Sequence, residues 1–174
     1  LGERLVGNYY LRDGRNLGEE DALYIPEEKV EVKSVGPLGS VSGFPRVITN
    51  CRDYNKLMQM LANGAVHQVN RIICHGTIDL ISTNKLTPKM IEEDFSNTYL
   101  AGYGYGYGMR MLLDPYTGQH NGSLGAFGWT GGSGTWAEAD PSTGTSIVYM
   151  HNLQPNLEEY HHLRMRAAAY GCLD

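Results

Sequence analysis

Glycine is the one excess in this chain of 174 residues, and most of its 22 glycines fall between positions 102 and 144. A flexible linker would spread them differently. Clustered in this way, glycines mark tight turns and close approaches of main chain within a folded region. The densest place is "FGWTGGSGTW", where Trp129 and Thr130 run into Gly131 and Gly132. Each glycine weakens a strand and adds no side chain to a core, so another group is expected to approach the backbone there. The alternative for these glycines is a bulged or sharply twisted strand that meets no ligand.

Around this knot the pattern is mixed α and β. "GYGYGYGMRMLLDP" from Gly102 alternates tyrosine with glycine at period two, which predicts a strand with one aromatic face and one nearly bare. "GTWAEADP", the turn "STG" and "TSIVYMHN" predict a hairpin. Strands are expected over 103–113, 126–138 and 145–152. "NCRDYNKLMQMLANG" sets Tyr54, Leu57, Met58 and Leu61 at helical spacing, with Asn50 as N-cap, Asp53 three residues on and Gly64 at the end. A shorter helix is expected over 77–83, and 84–98 reads as a loop with one helical turn. "NLEEYHHLRMRAAAYG" repeats Leu157, Tyr160, Leu163 and Ala167 between Pro155 and Gly171, so a terminal helix should pack those residues on the sheet. At the other end "RLVGNYYLR" (4–12) and "DALYI" (21–25) predict an antiparallel ribbon, and "LGSVSGFPRVITN" (38–50) is a loop.

Length and a hydrophobic share of 41% suit one core rather than two. The expected organisation is a single domain: an extension over 1–36, a helical and loop region over 37–100, and strands plus helix over 101–174. A formal charge of −5 with 14 scattered basic residues gives no footprint for nucleic acid or an anionic membrane. No apolar run is long enough to span a bilayer. Cys51, Cys74 and Cys172 are odd in number and widely spaced, which predicts buried thiols in a reducing compartment rather than a disulfide framework. A cytoplasmic setting follows from that cysteine usage, with export of the full-length protein left open.

Three of these stretches resemble the serine beta-lactamase-like hydrolases: class C beta-lactamases, D-alanyl-D-alanine peptidases and related esterases. "VITNCRDYNKLMQMLANG" is similar to the family's segment in which a loop enters an Asp-Tyr helix. "GYGYGMRMLLDP" is similar to the strand that leads toward the active site, and "FGWTGGSGTWAEADPSTGTSIVYMHN" to the active-site strand, its hairpin partner and the strand after it. The resemblance covers about residues 40–174. It implies an α+β, beta-lactamase/transpeptidase-like fold: an antiparallel sheet with flanking helices, of which this chain is the C-terminal portion.

It further implies that Trp129-Thr130-Gly131 stands where the family carries Lys-Thr-Gly or His-Thr-Gly beside the nucleophile. Gly132 would then supply a backbone N–H to the oxyanion hole, with Trp129, Thr130 and Gly131 binding substrate. A backbone donor aimed at developing negative charge contributes ~3 kcal/mol to a transition state. Trp129 departs from the cation of the penicillin-recognising members, which counts against recognition of a substrate carboxylate.

Acyl transfer in this family also needs Ser-x-x-Lys at a helix start and Tyr-x-Asn. No tyrosine here has Asn two residues on. The single Ser-x-x-Lys match, Ser82 to Lys85, falls at the end of a short helix and runs into Leu-Thr-Pro, which is the wrong end for the helix dipole to activate a hydroxyl. The chain is therefore expected to be part of a longer serine hydrolase of esters, amides or beta-lactams and inactive alone, needing no cofactor. Its partners would be a small-molecule or peptide-like substrate, with a dimer or the N-terminal part of the same protein covering the sheet.

Two other readings are a noncatalytic binding or sensor protein of the same fold, and a carbohydrate-binding β domain using Tyr103, Tyr105, Tyr107 and Trp136. No metal site is expected, because the adjacent His161 and His162 point about 100° apart on a helix. Both read as surface residues. His120 reads as an exposed loop residue without a role, Asp140 as a turn opener and Glu138 as a solvated strand residue, although the two carboxylates could share a face.

Overall fold

The computed structural model describes residues 9–11, 24–26, 49–154, 156 and 158–173, with the backbone alone at 9–11, 24–26 and 154. The loop expected over 38–50, all but its last two residues, lies outside these, as do Pro155 and Leu157.

Strands β1 (Tyr9–Leu11) and β2 (Tyr24–Pro26) pair antiparallel, in the place where a ribbon was expected. Helix α1 (Cys51–Ala62) opens as its sequence predicts. The Asn50 side chain accepts from the Asp53 N–H at 3.0 Å and donates to the Asp53 carboxylate at 2.8 Å, satisfying an N-terminal donor of the helix. Asn63 and Gly64 end it, Gly64 at φ +64°. A two-residue ribbon, β3 (Val66–His67) and β4 (Asn70–Arg71), leads to α2 (His75–Ile81), two residues earlier than predicted. The expected single turn is α3 (Pro88–Met90), capped by Thr87 and running into a π-helical turn over Ile91–Phe95.

The main sheet has five antiparallel strands in sequential order: β5 (Tyr103–Tyr105), β6 (Arg110–Leu112), β7 (Phe127–Thr130), β8 (Trp136–Asp140) and β9 (Thr145–Tyr149). The strand predicted over 103–113 is thus a hairpin, because Gly106 N–H closes on the Met109 carbonyl at 2.8 Å and Gly108 turns at φ +81°. The strand predicted over 126–138 is another, broken at Gly131–Thr135. Only the 136–149 hairpin was legible as two strands. The bare face of the Tyr-Gly repeat is covered by the 81–84 segment: Asn84 Oδ1 accepts from Tyr105 N–H at 3.1 Å, and a Cβ at Gly104 would lie 2.5 Å from that oxygen.

Strand β8 is buried on both faces. Ala137 and Ala139 join Met111 and Phe127 in an apolar cluster with Met58, Leu61 and Ala62 of α1. Trp136, Glu138 and Asp140, the alternate residues, meet α4 (Glu158–Tyr170) instead. The face that α4 buries is not the predicted one. Glu158, His162, Arg166 and Tyr170, four residues apart, turn inward, while Tyr160 and Ala167 are exposed. Helix α4 therefore seats a polar stripe on a polar half of the sheet. Strand β10 (Leu153–Gln154), between β9 and α4, pairs parallel with β1.

The cysteines also depart from expectation. All three are free and exposed, Cys51 and Cys74 at the starts of α1 and α2 and Cys172 just past α4. Helix ends at a surface leave such side chains facing solvent.

Candidate functional site

The glycine knot is the turn of the β7–β8 hairpin. Gly131 and Gly134 bracket a β-turn in which Gly134 N–H donates to the Gly131 carbonyl at 2.9 Å, and Gly131 N–H donates to the Thr135 carbonyl at 2.8 Å. Gly134 takes φ +91°, the left-handed residue that a three-residue hairpin loop requires. The glycines here serve different purposes. A Cβ at Gly128 would sit 1.9 Å from the Ala137 carbonyl oxygen, so Gly128 exists to let β7 and β8 close. A Cβ at Gly131 would meet Thr135 Oγ1, which makes Gly131 a packing residue of the hairpin rather than an open surface. At Gly132 a Cβ would meet nothing within 4 Å. Gly132 is exposed at the second turn position, whose N–H the turn does not use, and that N–H has no hydrogen-bond partner among the described residues.

The edge beside it is also open. Strand β6 pairs with β7 only at Met111↔Phe127 and Arg110↔Gly128, so the ladder stops before Trp129. On the other side Trp129 and Thr130 stay paired with Ala137 and Trp136. Trp129, 37% exposed, packs edge-on against Tyr105 with ring centroids 5.2 Å apart. An arginine stands behind this pair. The Arg110 guanidinium lies 4.8 Å from the Tyr103 ring centroid and 6.0 Å from that of Trp129, and its Nη1 reaches Glu158 Oε1 at 2.6 Å. Burial would raise the Glu158 carboxyl, but the adjacent His162, Arg110 and Thr130 outweigh it and hold Glu158 below its ordinary range. Thr130 thus faces a carboxylate of α4.

Beneath α4 lies a second set of polar groups. His120 Nδ1 accepts from Gly122 N–H at 2.7 Å, which places the ring proton on Nε2, 3.0 Å from both oxygens of Glu138. The Tyr170 hydroxyl donates to Glu138 at 2.9 Å and to Asp140 at 3.1 Å. Arg166 Nε lies 3.7 Å from Glu138. All five residues are buried. His120 is therefore not an exposed loop residue and Glu138 is not solvated. Asp140 does open its turn, accepting from Ser142 N–H at 3.0 Å, but it is buried while doing so. His162 is 1% exposed, against the expectation of a surface residue. Sequence spacing missed this set because its members come from a loop, a strand and a helix up to 50 residues apart.

Ser82 sits at the end of α2, where its hydroxyl donates to the Ile78 carbonyl at 2.9 Å, while Lys85 Nζ lies over the Tyr107 ring at 5.8 Å. A spent hydroxyl at a helix C-terminus has no activating base or dipole. The tyrosine platform also fails: Tyr103 and Trp136 are 3% and 1% exposed, leaving no stack of rings for a sugar. Among the described residues no cluster of His, Cys, Asp and Glu could hold a metal ion, and no helix is long and apolar enough to cross a membrane.

A family model described as Beta-lactamase matches residues 15–171. Protein Rv1367c of Mycobacterium tuberculosis is 28% identical over 109 residues, covering 60% of this chain and 27% of that protein. Among solved structures, EstCE1, "a hydrolase with promiscuous acyltransferase activity", superposes with a TM-score of 0.66 at 18% identity, over 95% of this chain and 43% of that one. A mutant of simvastatin synthase (LovD) from Aspergillus terreus gives 0.70 at 16% identity, over 95% and 41%. A penicillin-binding protein homolog from Caulobacter crescentus gives 0.57 at 25% identity, over 71% and 32%. These likenesses establish a beta-lactamase/transpeptidase-like fold. The chain spans less than half the length of each.

Proposed function

Because the chain belongs to the Beta-lactamase family, we propose that it forms one wall of an acyl-serine hydrolase site, in which Gly132 N–H polarises the carbonyl of an ester, amide or beta-lactam. The observation that carries this reading is the free donor itself. Gly132 is an exposed turn residue whose N–H has no partner among the described residues and whose Cβ position is empty, beside a strand edge at Trp129 and Thr130 where an extended substrate could lie. Such a donor, fixed before the reaction, stabilises the oxyanion of a tetrahedral intermediate without reorganising.

The attacking hydroxyl and its Lys and Tyr partners come from outside these 174 residues, since Ser82 is misplaced for the task. Trp129 in place of a cation favours esters over substrates that carry a carboxylate. The nearby cation Arg110 is buried against Glu158. EstCE1, a hydrolase with acyltransferase activity, shares the fold and supports the same class.

A chromogenic cephalosporin and a short p-nitrophenyl ester, given to this chain and to the full gene product, test the reading. Ester turnover by the full product alone is expected. Turnover by these 174 residues would overturn the account of the nucleophile. Gly132→Pro removes the N–H at a turn position where proline is favoured, and should lower kcat by about 10²–10³-fold with the fold intact.

A further inference from the structure

The turn that presents Gly132 is held from behind by the segment that follows β9. Asn156 Nδ2 donates to the Gly131 carbonyl at 3.4 Å, Leu153 N–H to the Ser133 carbonyl at 3.0 Å, and His162 Nε2 to the Gly134 carbonyl at 2.9 Å. His151 packs directly on Gly134, its Nε2 lying 1.8 Å from where a Cβ would stand. Three carbonyls of the turn are thereby fixed by residues 153–162, while Gly132 itself is exposed and a Cβ there would meet no atom within 4 Å.

His162 is the most constrained of these residues. Its ring stacks on Trp136 at 5.9 Å and 28°, and meets the edge of Tyr149 at 5.9 Å. A carbonyl oxygen can only accept, so the proton on His162 must be on Nε2. Nδ1 then faces Glu158 Oε1 at 3.6 Å, and that carboxylate is tied to Arg110 on β6. A line of contacts runs from the sheet through Arg110, Glu158 and His162 to the Gly134 carbonyl.

We propose that His162 is a positioning residue, whose bond to Gly134 fixes the left-handed corner of the β7–β8 turn and so aims the Gly132 N–H. Its consequence for turnover rests on the reading of Gly132 given above; its effect on the turn does not. The imidazole suits this work because it is rigid, donates from one edge and is held by a stacked indole and an edge-on phenol ring. A flexible donor would leave the corner free to rock.

Amide hydrogen exchange on the isotopically labelled chain tests it. In His162→Phe the Gly134 N–H, which closes the turn, should exchange about five- to tenfold faster, while Leu61 in α1 keeps its protection. Unchanged Gly134 protection in a folded variant overturns the proposal. If the phenylalanine variant loses protection throughout, the unsubstituted chain decides: nitrogen shifts of the His162 ring must report a proton on Nε2, and a proton on Nδ1 alone overturns the proposal. Hydrolysis by the full gene product separates the two readings. A fall in kcat with KM held supports both, whereas a loosened turn with unchanged kcat supports the positioning role and sinks the catalytic reading of Gly132.

Discussion

The Tyr170 hydroxyl donates to Glu138 across 32 residues of sequence at 2.9 Å, and by this bond the last turn of the terminal helix is fixed to β8 of the main sheet. The same hydroxyl reaches Asp140, so one phenol serves two buried carboxylates. Burial and those two charges keep it protonated far above the usual tyrosine range.

Removing that donor should be costly. Tyr170→Phe keeps the ring but removes a buried donor that two carboxylates share, and is expected to destabilise the fold by about 1–3 kcal/mol. Urea unfolding followed by circular dichroism would measure it. An unchanged midpoint would mean that the His120 ring and the Ser123 N–H satisfy the two carboxylates without the phenol.

The Arg110–Glu158 pair predicts strong coupling. Both side chains are buried, so Arg110→Met alone leaves an unpaired carboxylate and should cost about 3–5 kcal/mol. Adding Glu158→Leu removes the orphaned charge and should recover most of the loss. A double-mutant cycle reads the difference, and simple additivity of the two changes would contradict it.

Gly128 and Gly132, four residues apart, should behave oppositely. Gly128→Ala forces a methyl against the Ala137 carbonyl and should destabilise by about 1–3 kcal/mol or more. Gly132→Ala meets no atom and should stay within about 0.5 kcal/mol of the parent. Thermal unfolding of both variants checks the contrast.

Acid should loosen α4. Burial raises the Asp140 carboxyl, but the Ser123 backbone and hydroxyl, the Tyr170 hydroxyl and the Ser142 N–H outweigh it and hold it low; Glu158 is likewise held low. Both groups are more acidic folded than unfolded. Their stabilisation is therefore complete above the ordinary carboxylate range of about 4 and is lost as pH falls through the folded values. Midpoints of thermal unfolding taken from about pH 6 down to about pH 2 should drop less steeply in Asp140→Asn than in the parent. Parallel slopes would remove Asp140 from the account.

What the sequence determined by itself was local. Asn50, Asp53 and Gly64 announce the ends of α1 because capping is chemistry between residues a few positions apart. Asp140 to Gly144 announce the β8–β9 turn for the same reason, and the glycine knot marks where the main chain needs room. Tertiary structure alone decided which side chains are buried by α4 and what each glycine is for. Apolar spacing selected Tyr160 and Ala167 as the packing face, but the sheet beneath presents Arg110, Glu138 and Asp140, and a helix over charged groups must turn its own polar residues inward. That complementarity is between segments distant in sequence, so no local period carries it. The same holds at the turn: Gly128, Gly131 and Gly132 look alike in one dimension, and only the neighbouring strand separates the two that fill a tight contact from the one that faces open space.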